Sequence, residues 1–500
     1  MDYVCPRCVG KLELADAFLH CTQCKLDYPV VDGVPYLVFY GEDWYLKLRE
    51  VVLYRDFCAK LKSGAVERDR IAAHQQTGAT LFKNLTAYFE QATSQVDFSR
   101  APRILDVGAG CGEVSQKFAE RGAQVWAVDM NLFDLHDDVR WMAFADLEGK
   151  DFYQILRGTP MTTPLFQRAI ADADYLPFPD AFFDYVVLRA VAHHLFDLPR
   201  FMREANRVLK PGGQLLLIAE PLASVLDRAA EYSEGDLDYE EGMHETRPYF
   251  YKYRRGLKAG GFGQTQVQCY YISLGFRALR WMNRLRIPGD LNAWLPKRIV
   301  HGPLSVLLSL TAGCMNLYAR KLRDVPSGHR QTLPNTVPSS AAADVLVQLR
   351  KDPAVAKRIL RQFVPADLLL SELELADQNV NRLAVRGVRA PEVISGKTGR
   401  YLLSSFTAYL KNPNGCTHLQ LEYCADVMSD LSPEIQLNEV PLTLKLERGG
   451  WKHITLPVQC AERVIELCIE QPQITGAQSA TTTRDIGLAL RSLRLRRPQD

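Results

Sequence analysis

A glycine-rich segment between two apolar runs limits the possible folds of this chain more than any other stretch. The segment "RILDVGAGCGEVSQKFAERGAQVWAVDMN", residues 103–131, places Gly108, Gly110 and Gly112 directly after "RILDV" and reaches Asp129 after a second apolar run. This spacing predicts a strand, a tight loop, a helix and a second strand. Further apolar runs, "FDYVVLRAV" and "GGQLLLIAEP", are typical of parallel strands covered on both faces. We therefore expect an α/β domain with a parallel-rich central sheet.

The chemistry of the loop indicates which cofactor it holds. A dinucleotide-binding loop needs glycine at its first, third and sixth positions, whereas Glu113 occupies the sixth position here. An acidic residue at a helix start is unfavourable for a pyrophosphate. The loop suits a cofactor that carries an amino-acid moiety and adenosine without phosphate, because Asp129 can accept hydrogen bonds from both ribose hydroxyls. We therefore expect S-adenosylmethionine (SAM).

A longer stretch extends the pattern: "ADADYLPFPDAFFDYVVLRAVAHHLFDLPRFMREANRVLKPGGQLLLIAEP", residues 171–221. With the loop, it resembles the class I SAM-dependent methyltransferases over roughly residues 80–275, and most closely the small-molecule subgroup that includes quinone-biosynthesis enzymes. The resemblance implies a Rossmann-like fold in which Asp172 and Ala173 contact the adenine. The cofactor-binding residues that it implies are Asp106, Gly108, Gly110, Gly112, Asp129, Met130, Asp172, Ala173 and Arg189.

Two histidines are the candidates for acid–base chemistry. His193 and His194 follow the strand "FDYVVLR", at the edge where open α/β sheets bind ligands. Either could remove a proton from a sugar or phenol hydroxyl, or one ring could simply pack against or orient the loop. Enzymes of this fold that methylate amide or adenine nitrogens carry an Asn/Asp-Pro-Pro-aromatic tetrapeptide here, and this chain has "RAVA" at 189–192. Nitrogen acceptors of that kind are disfavoured.

The segment "YSEGDLDYEEGMHETRPYFYKY" admits two interpretations. It is either a solvated acidic face or a lid whose aromatic rings at 249, 250, 251 and 253 stack on the acceptor.

Two Cys-x-x-Cys pairs mark the N-terminal module. Cys5, Cys8, Cys21 and Cys24 provide four thiolates, the ligand set of a closed structural Zn²⁺ site. A module of about 40 residues has too small a core to fold alone, and zinc supplies the missing stability. The module resembles the zinc-ribbon activators of tRNA, rRNA and release-factor methyltransferases. The first residues lack the pattern of a secretory signal, so we expect a cytoplasmic protein with reduced cysteines.

The C-terminal part has another character. A segment rich in Pro, Ser and Thr at 324–344 predicts a linker, and the short strands that follow predict a jelly-roll-like β-sandwich. "RDIGLALRSLRL", residues 484–495, resembles the closing strand of β-sandwich modules in surface-glycan assembly enzymes. Aromatic residues of these strands could form a sugar platform or belong to the core: Tyr401, Tyr409, Tyr423 and Trp451.

Charge and hydropathy limit the partners. Lys and Arg number 60 against 58 Asp and Glu, so no global field favours nucleic acid, and we expect no nucleic-acid partner. The apolar run at 299–321 contains Pro and polar residues, so it predicts a buried or amphipathic helix, or a membrane-surface contact, rather than a spanning helix.

These inferences divide the chain into five parts. We expect a zinc ribbon (1–40), a helical connector (41–98), a methyltransferase domain with a helical extension (99–323), the linker (324–344), and a short helical segment with the sandwich (345–500). The favoured function is O-methylation of a sugar or of a glycan or lipid-linked glycan intermediate. The expected partners are a small-molecule or glycan substrate and glycan-assembly enzymes. The alternatives are an RNA or protein methyltransferase with a fused activator, and a non-catalytic scaffold in a glycan-assembly complex.

Overall fold

The computed structural model describes residues 2–38, 44–63, 85–110, 112–131, 165–223, 244, 246–273, 310, 312–326, 348, 355, 358, 361, 372–375, 385–388, 392–394, 397–412, 417–425, 433–442, 446–447, 449–458, 464–470, 478–479, 482–483 and 488–496. The chain divides into two compact units, residues 1–233 with 244–353 and residues 234–243 with 354–500. No helix among the described residues is long and apolar enough to cross a membrane.

The first unit is an α/β structure. Its described helices are α1 (Trp44–Ser63), α2 (Leu85–Thr93), α3 (Glu113–Glu120), α4 (Leu198–Val208) and α5 (Phe250–Ala259). Its described strands are β1 (Leu12–Ala15), β2 (Phe18–Cys21), β3 (Asp27–Val31), β4 (Val34–Leu37), β5 (Arg103–Val107), β6 (Gln124–Asp129), β7 (Gln167–Ala171), β8 (Phe183–Arg189), β9 (Leu209–Leu222), β10 (Phe262–Ser273) and β11 (Ala312–Lys321). Helices α1 and α2 lie within the range of the predicted helical connector.

The strands of this unit form one sheet in the order β1-β2-β3-β4-β7-β6-β5-β8-β9-β11-β10. The strands from β4 to β9 in this order run parallel, whereas β11 is antiparallel to both of its neighbours. The chain builds outward from β5 to one side and then from β8 to the other. The carboxyl ends of β5 and β8 therefore define the switch point at which ligands bind in such sheets.

The cysteine module is continuous with this sheet. Asp32 and Gly33 both have positive φ, 50° and 77°, as a two-residue hairpin turn between β3 and β4 requires. Strand β4 then pairs in parallel with β7, with Tyr36 opposite Ile170 and Leu37 opposite Ala171. The module thus adds four strands to the edge of the α/β sheet.

The expected helical extension after the sheet is wrong where the structure describes it. Residues 262–273 and 312–321 are strands β10 and β11, and β11 lies between β9 and β10. A strand covered on both faces carries the same continuous apolar pattern as a buried helix, which explains the error. The amphipathic helix predicted for membrane-surface contact is absent at 312–321, which is strand β11. Residues 299–309 and 311 lie outside the described part.

The second unit is antiparallel and all-β in its described strands. These are β12 (Glu372–Glu374), β13 (Val385–Val388), β14 (Glu392–Ile394), β15 (Lys397–Lys411), β16 (His418–Cys424), β17 (Glu434–Leu437), β18 (Val440–Leu442), β19 (Trp451–Pro457), β20 (Val464–Glu470), β21 (Gln478–Ser479), β22 (Thr482–Thr483) and β23 (Ala489–Arg496). The long strand β15 pairs with β23 through its first half and with β20 through its second half. Most of the predicted linker, 327–344, lies outside the described residues, and residues 348, 355, 358 and 361 are helical.

Two of the four aromatic residues proposed as a sugar-binding platform pack against buried residues of this unit. Tyr423 is buried in the cluster that includes Phe406 and Leu493, and its hydroxyl accepts the Glu447 N–H at 3.0 Å. Trp451 packs against a small cluster of buried residues on its neighbouring strands. Tyr423 is therefore a core residue rather than part of a platform.

Candidate cofactor and acceptor site

The three glycines form the turn from β5 into α3, and each adopts a conformation that suits glycine. Their φ angles are +69° at Gly108, +57° at Gly110 and +88° at Gly112. A Cβ on Gly108 would lie 2.5 Å from the Val191 side chain, and one on Gly112 would lie 2.3 Å from Phe166 Cζ. The backbone conformation therefore favours glycine at all three positions, and close approach requires it at Gly108 and Gly112.

Two aspartates make hydrogen bonds to the loop and to the helix that follows it. Asp106 is buried in β5 and accepts the Ser115 hydroxyl from α3 at 2.6 Å. Asp129, at the end of β6, accepts the Gly110 N–H at 2.8 Å and the Asn131 N–H at 2.7 Å. A carboxylate has about four acceptor sites, so these two contacts are compatible with a bound diol.

Asp172 follows β7 and caps a 3₁₀ turn, Ala173–Tyr175. One of its oxygens accepts the Asp174 N–H at 2.9 Å, and the other accepts Lys47 Nζ from α1 at 2.7 Å. Asp172 is buried, and Ala173 begins the turn directly after it. Sequence reasoning missed Lys47, whose partner lies 125 residues away.

The remaining predicted cofactor residues lie at the same edge of the sheet. Met130 follows Asp129, and Arg189 is the last residue of β8; both are partly buried. The carboxyl ends of β5, β6, β7 and β8 thus bring together the nine positions that the sequence indicated.

These residues fit SAM. A Cβ on Gly110 would meet no heavy atom within 4 Å, so the loop leaves open space above its middle glycine. The Asp129 carboxylate beside that space is only partly buried and suits a ribose diol. The site offers carboxylates as hydrogen-bond acceptors and backbone N–H groups as donors, which suits a nucleoside without phosphate.

The two histidines differ in their surroundings. His193 is buried, and its Nδ1 lies 2.9 Å from Oε2 of Glu220 on β9. The His194 ring is partly buried, stacks at 4.2 Å from that of His193, and has its Nδ1 3.1 Å from the carbonyl oxygen of His244. The buried Glu220 carboxylate faces the His193 ring and can hold it in one orientation, so His193 is the stronger candidate base.

Glu220 organises the whole loop after β8. Its carboxylate accepts the backbone N–H groups of Val191, Ala192 and His193 at 2.9, 2.9 and 3.2 Å. Burial raises the pKa of Glu220, but hydrogen bonds from the His193 ring and from the Ala192 and Val191 N–H groups outweigh it and lower the pKa overall. Glu220 is therefore a buried carboxylate held in its charged form.

A β-bulge aims Glu220 at the loop. Ile218 and Ala219 of β9 together face Asn316 of β11, and Ala219 has a φ of 55°. The Asn316 side-chain oxygen accepts the Ala219 N–H at 3.0 Å, which holds the bulge in place. The acidic residue inside "LLLIAEP" was the available sequence signal, because a charge in a buried strand needs partners.

Part of the acidic and aromatic segment contacts the histidines. The Thr246 hydroxyl donates to the His193 carbonyl oxygen, and the His244 ring stacks on Phe196 at 4.3 Å. The lid interpretation is wrong for Phe250 and Tyr253, which are 5% and 0% exposed in α5. Residues 232–243 and 245 lie outside the described part.

The four cysteines form a compact cluster. Their sulfur atoms lie within 4.8 Å of one another, with 3.5 Å between Cys5 and Cys24 and between Cys8 and Cys21. Tetrahedral zinc with bonds of about 2.3 Å separates its sulfurs by about 3.8 Å, so the cluster fits this ion. Burial opposes the Cys21 thiolate, yet the N–H groups of Cys24 and Gln23 outweigh it and lower its pKa to about 7.

The central part of this chain is similar in sequence to known proteins. Residues 105–217 match the family model described as "Methyltransferase domain". The ubiquinone/menaquinone biosynthesis C-methyltransferase UbiE of Bordetella avium is 33% identical over 133 residues, covering 25% of this chain and 45% of that protein. The uncharacterized methyltransferase YcgJ of Bacillus subtilis is 31% identical over 118 residues, covering 23% of this chain and 40% of that protein. The crystal structure of YcgJ covers 48% of this chain and 99% of its own, at 18% identity and a TM-score of 0.32.

The chain therefore contains a methyltransferase domain of the class I, SAM-dependent type, which begins in β5 and ends in β9. It spans less than half of the length of the two curated relatives.

Proposed function

We propose that the chain is a SAM-dependent methyltransferase in which His193 removes a proton from the acceptor atom. The observation that carries this proposal is the contact between His193 Nδ1 and the buried Glu220 carboxylate. A carboxylate at Nδ1 favours the tautomer with its proton there and leaves Nε2 as the basic nitrogen. It also stabilises the imidazolium that forms when the base takes a proton.

Different residues at the sheet edge bind the cofactor and act on the acceptor. When bound, SAM supplies an electrophilic methyl group on its sulfonium. Asp129 and the glycine loop hold the ribose side, and Asp172 with the Ala173 N–H holds the adenine edge. His193 takes the acceptor's proton while Glu220 fixes the ring. Positioning of this kind supplies much of the rate enhancement in a direct displacement.

We propose a sugar hydroxyl, in a glycan or lipid-linked glycan intermediate, as the acceptor. A poorly acidic hydroxyl needs a base, which His193 provides. The sequence "RAVA" lacks the motif that grips planar amino groups. The described strands of the second unit are antiparallel, which supports the predicted β-sandwich. We propose that this unit binds the glycan and so raises its concentration at the methyl donor.

A second candidate is an RNA or protein methyltransferase with a built-in activator. The pairing of β4 with β7 favours it, because the cysteine module there extends the catalytic sheet beside Asp172. In both candidates we propose a structural Zn²⁺ at the four cysteines and a reducing, cytoplasmic setting.

Methyl-labelled SAM distinguishes these candidates. The full chain is incubated with labelled SAM and, in separate tubes, nucleotide-linked sugars, lipid-linked sugars, total RNA and total protein. We expect label in a sugar pool as an alkali-stable methyl ether, and much slower labelling with the His193→Asn variant. Label only in RNA or protein would favour the second candidate, and SAM binding without transfer to any pool would favour a scaffold.

A further inference from the structure

The ammonium group of Lys47 lies between two buried carboxylates at the predicted adenine edge. Its Nζ is 2.7 Å from Asp172 Oδ2 and 2.6 Å from Asp174 Oδ2. The exposed fractions of Lys47, Asp172 and Asp174 are 8%, 4% and 3%. Lys47 comes from α1, outside the segment that matches the methyltransferase family model.

The arrangement has a clear electrostatic reason. Two carboxylates two residues apart repel each other when they are buried, and a shared cation offsets the repulsion. Lys47 also directs them, because one Asp172 oxygen faces Nζ and the other accepts the Asp174 N–H. The orientation of the Asp172 carboxylate is thus fixed by α1 as well as by its own turn.

Helix α1 is held at a second point one turn further on. Glu50 accepts the His244 N–H through both carboxylate oxygens, at 2.8 and 2.9 Å. Residues three apart lie on the same side of a helix, so Lys47 and Glu50 anchor α1 together. This second anchor keeps Lys47 in register with Asp172.

We propose that Lys47 is a positioning residue of the cofactor site, which fixes Asp172 so that its carboxylate accepts the exocyclic amino group of the adenine. This inference rests on the proposed function, because it assumes that SAM binds at this edge. It assigns to α1, which precedes the matched domain, a part in cofactor affinity that acts through Asp172.

Calorimetric titration of the full chain with SAM tests this role. We expect Lys47→Met to weaken SAM binding at least about tenfold, since it leaves two buried carboxylates without their shared cation. Lys210→Met is the matched control, because Lys210 pairs with Asp184 elsewhere in the same unit at 2.8 Å. It should bind SAM as the unmodified chain does.

A second pair of variants keeps the test valid if Lys47→Met does not fold. Asp174→Asn removes one of the two buried charges, and Lys47→Met in that background removes the cation while leaving a single carboxylate. We expect the double variant to bind SAM at least about fivefold more weakly than Asp174→Asn alone. Equal affinity of these two variants would overturn the proposal.

Adenosine and purine riboside locate the effect on the ligand. Purine riboside lacks the amino group at C6, so the loss caused by Lys47→Met should be large for adenosine and small for purine riboside. An equal loss for both ligands would contradict positioning of Asp172. If the unmodified chain bound no SAM, the proposed function itself would fail, which separates the two outcomes.

Discussion

The imidazole Nδ1 of His193 lies 2.9 Å from Oε2 of Glu220, although 27 residues separate the two along the chain. The same carboxylate accepts the backbone N–H groups of 191, 192 and 193, so one buried side chain fixes both the loop and the ring. The loop after β8 and the end of β9 thus form a single unit around a buried charge.

Replacement of His193 tests the base. We expect His193→Asn to lower kcat by about 10²- to 10⁴-fold, the usual contribution of a general base. SAM affinity should stay unchanged, because the ring is assigned to the acceptor. The comparison is His194→Asn, whose ring nitrogen faces a carbonyl oxygen, and its loss should be smaller. Equal losses in both variants would contradict the assignment of His193.

Glu220→Gln tests the buried charge through the pH dependence of stability. The folded-state pKa of Glu220 is lowered, although burial alone raises it, because hydrogen bonds from the His193 ring and the loop N–H groups outweigh burial. Its stabilising effect is therefore complete above the unfolded pKa of about 4.3 and is lost as pH falls through the lower folded pKa.

We expect the unmodified chain to exceed Glu220→Gln in free energy of unfolding by about 1–3 kcal/mol at pH 7. Urea denaturation should show this gap shrinking below about pH 4. Glu120→Gln, at the exposed end of α3, is the control and should change little. A gap that widens in acid would refute the charged, hydrogen-bonded state.

Local patterns made the cofactor loop predictable, and distant partners made other parts of the site unpredictable. Gly108, Gly110 and Asp129 belong to one strand-loop-helix-strand unit, so their spacing in the sequence is enough to predict that they lie close together. Lys47 reaches Asp172 from helix α1, and Glu220 reaches His193 from β9, the strand that pairs with β8. Such contacts depend on the order of strands in the sheet, which no short pattern encodes.

The segment at 312–321 shows the converse difficulty. Its apolar residues suit a buried helix and a buried strand equally, and only pairing with β9 and β10 decides between them.

Gly112→Ala tests the close packing of the loop. The substitution adds strain at a φ of +88° and a Cβ 2.3 Å from Phe166 Cζ, so we expect destabilisation from both. Gly122→Ala is the matched control, because Gly122 has a φ of +92° and open space around a Cβ. Gly112→Ala should lower the free energy of unfolding by about 1–3 kcal/mol more than Gly122→Ala does, because overpacking is destabilising by about this amount. Equal melting temperatures of the two variants would show that the Phe166 contact is unimportant.

Zinc removal tests the link between the cysteine module and the cofactor site. We expect one zinc per chain by elemental analysis, and its loss in Cys21→Ser. Because β4 pairs with β7, and Asp172 follows β7, that variant should also bind SAM at least about fivefold more weakly. Cys468→Ser, in the second unit, is the control. Zinc-free, freshly reduced protein with full SAM affinity would contradict this prediction.

The titration of SAM into the full chain and into its Asp129→Ala and Asp129→Asn variants tests the cofactor assignment, on which the account depends. Loss of a carboxylate that accepts the ribose hydroxyls should cost about 1–3 kcal/mol, or roughly 5- to 150-fold in affinity. We expect saturable binding at one site per chain, weakened to this extent by Asp129→Ala and less by Asp129→Asn, whose side-chain oxygen still accepts a hydrogen bond. Absence of SAM binding, or an affinity that Asp129→Ala leaves unchanged, would contradict it.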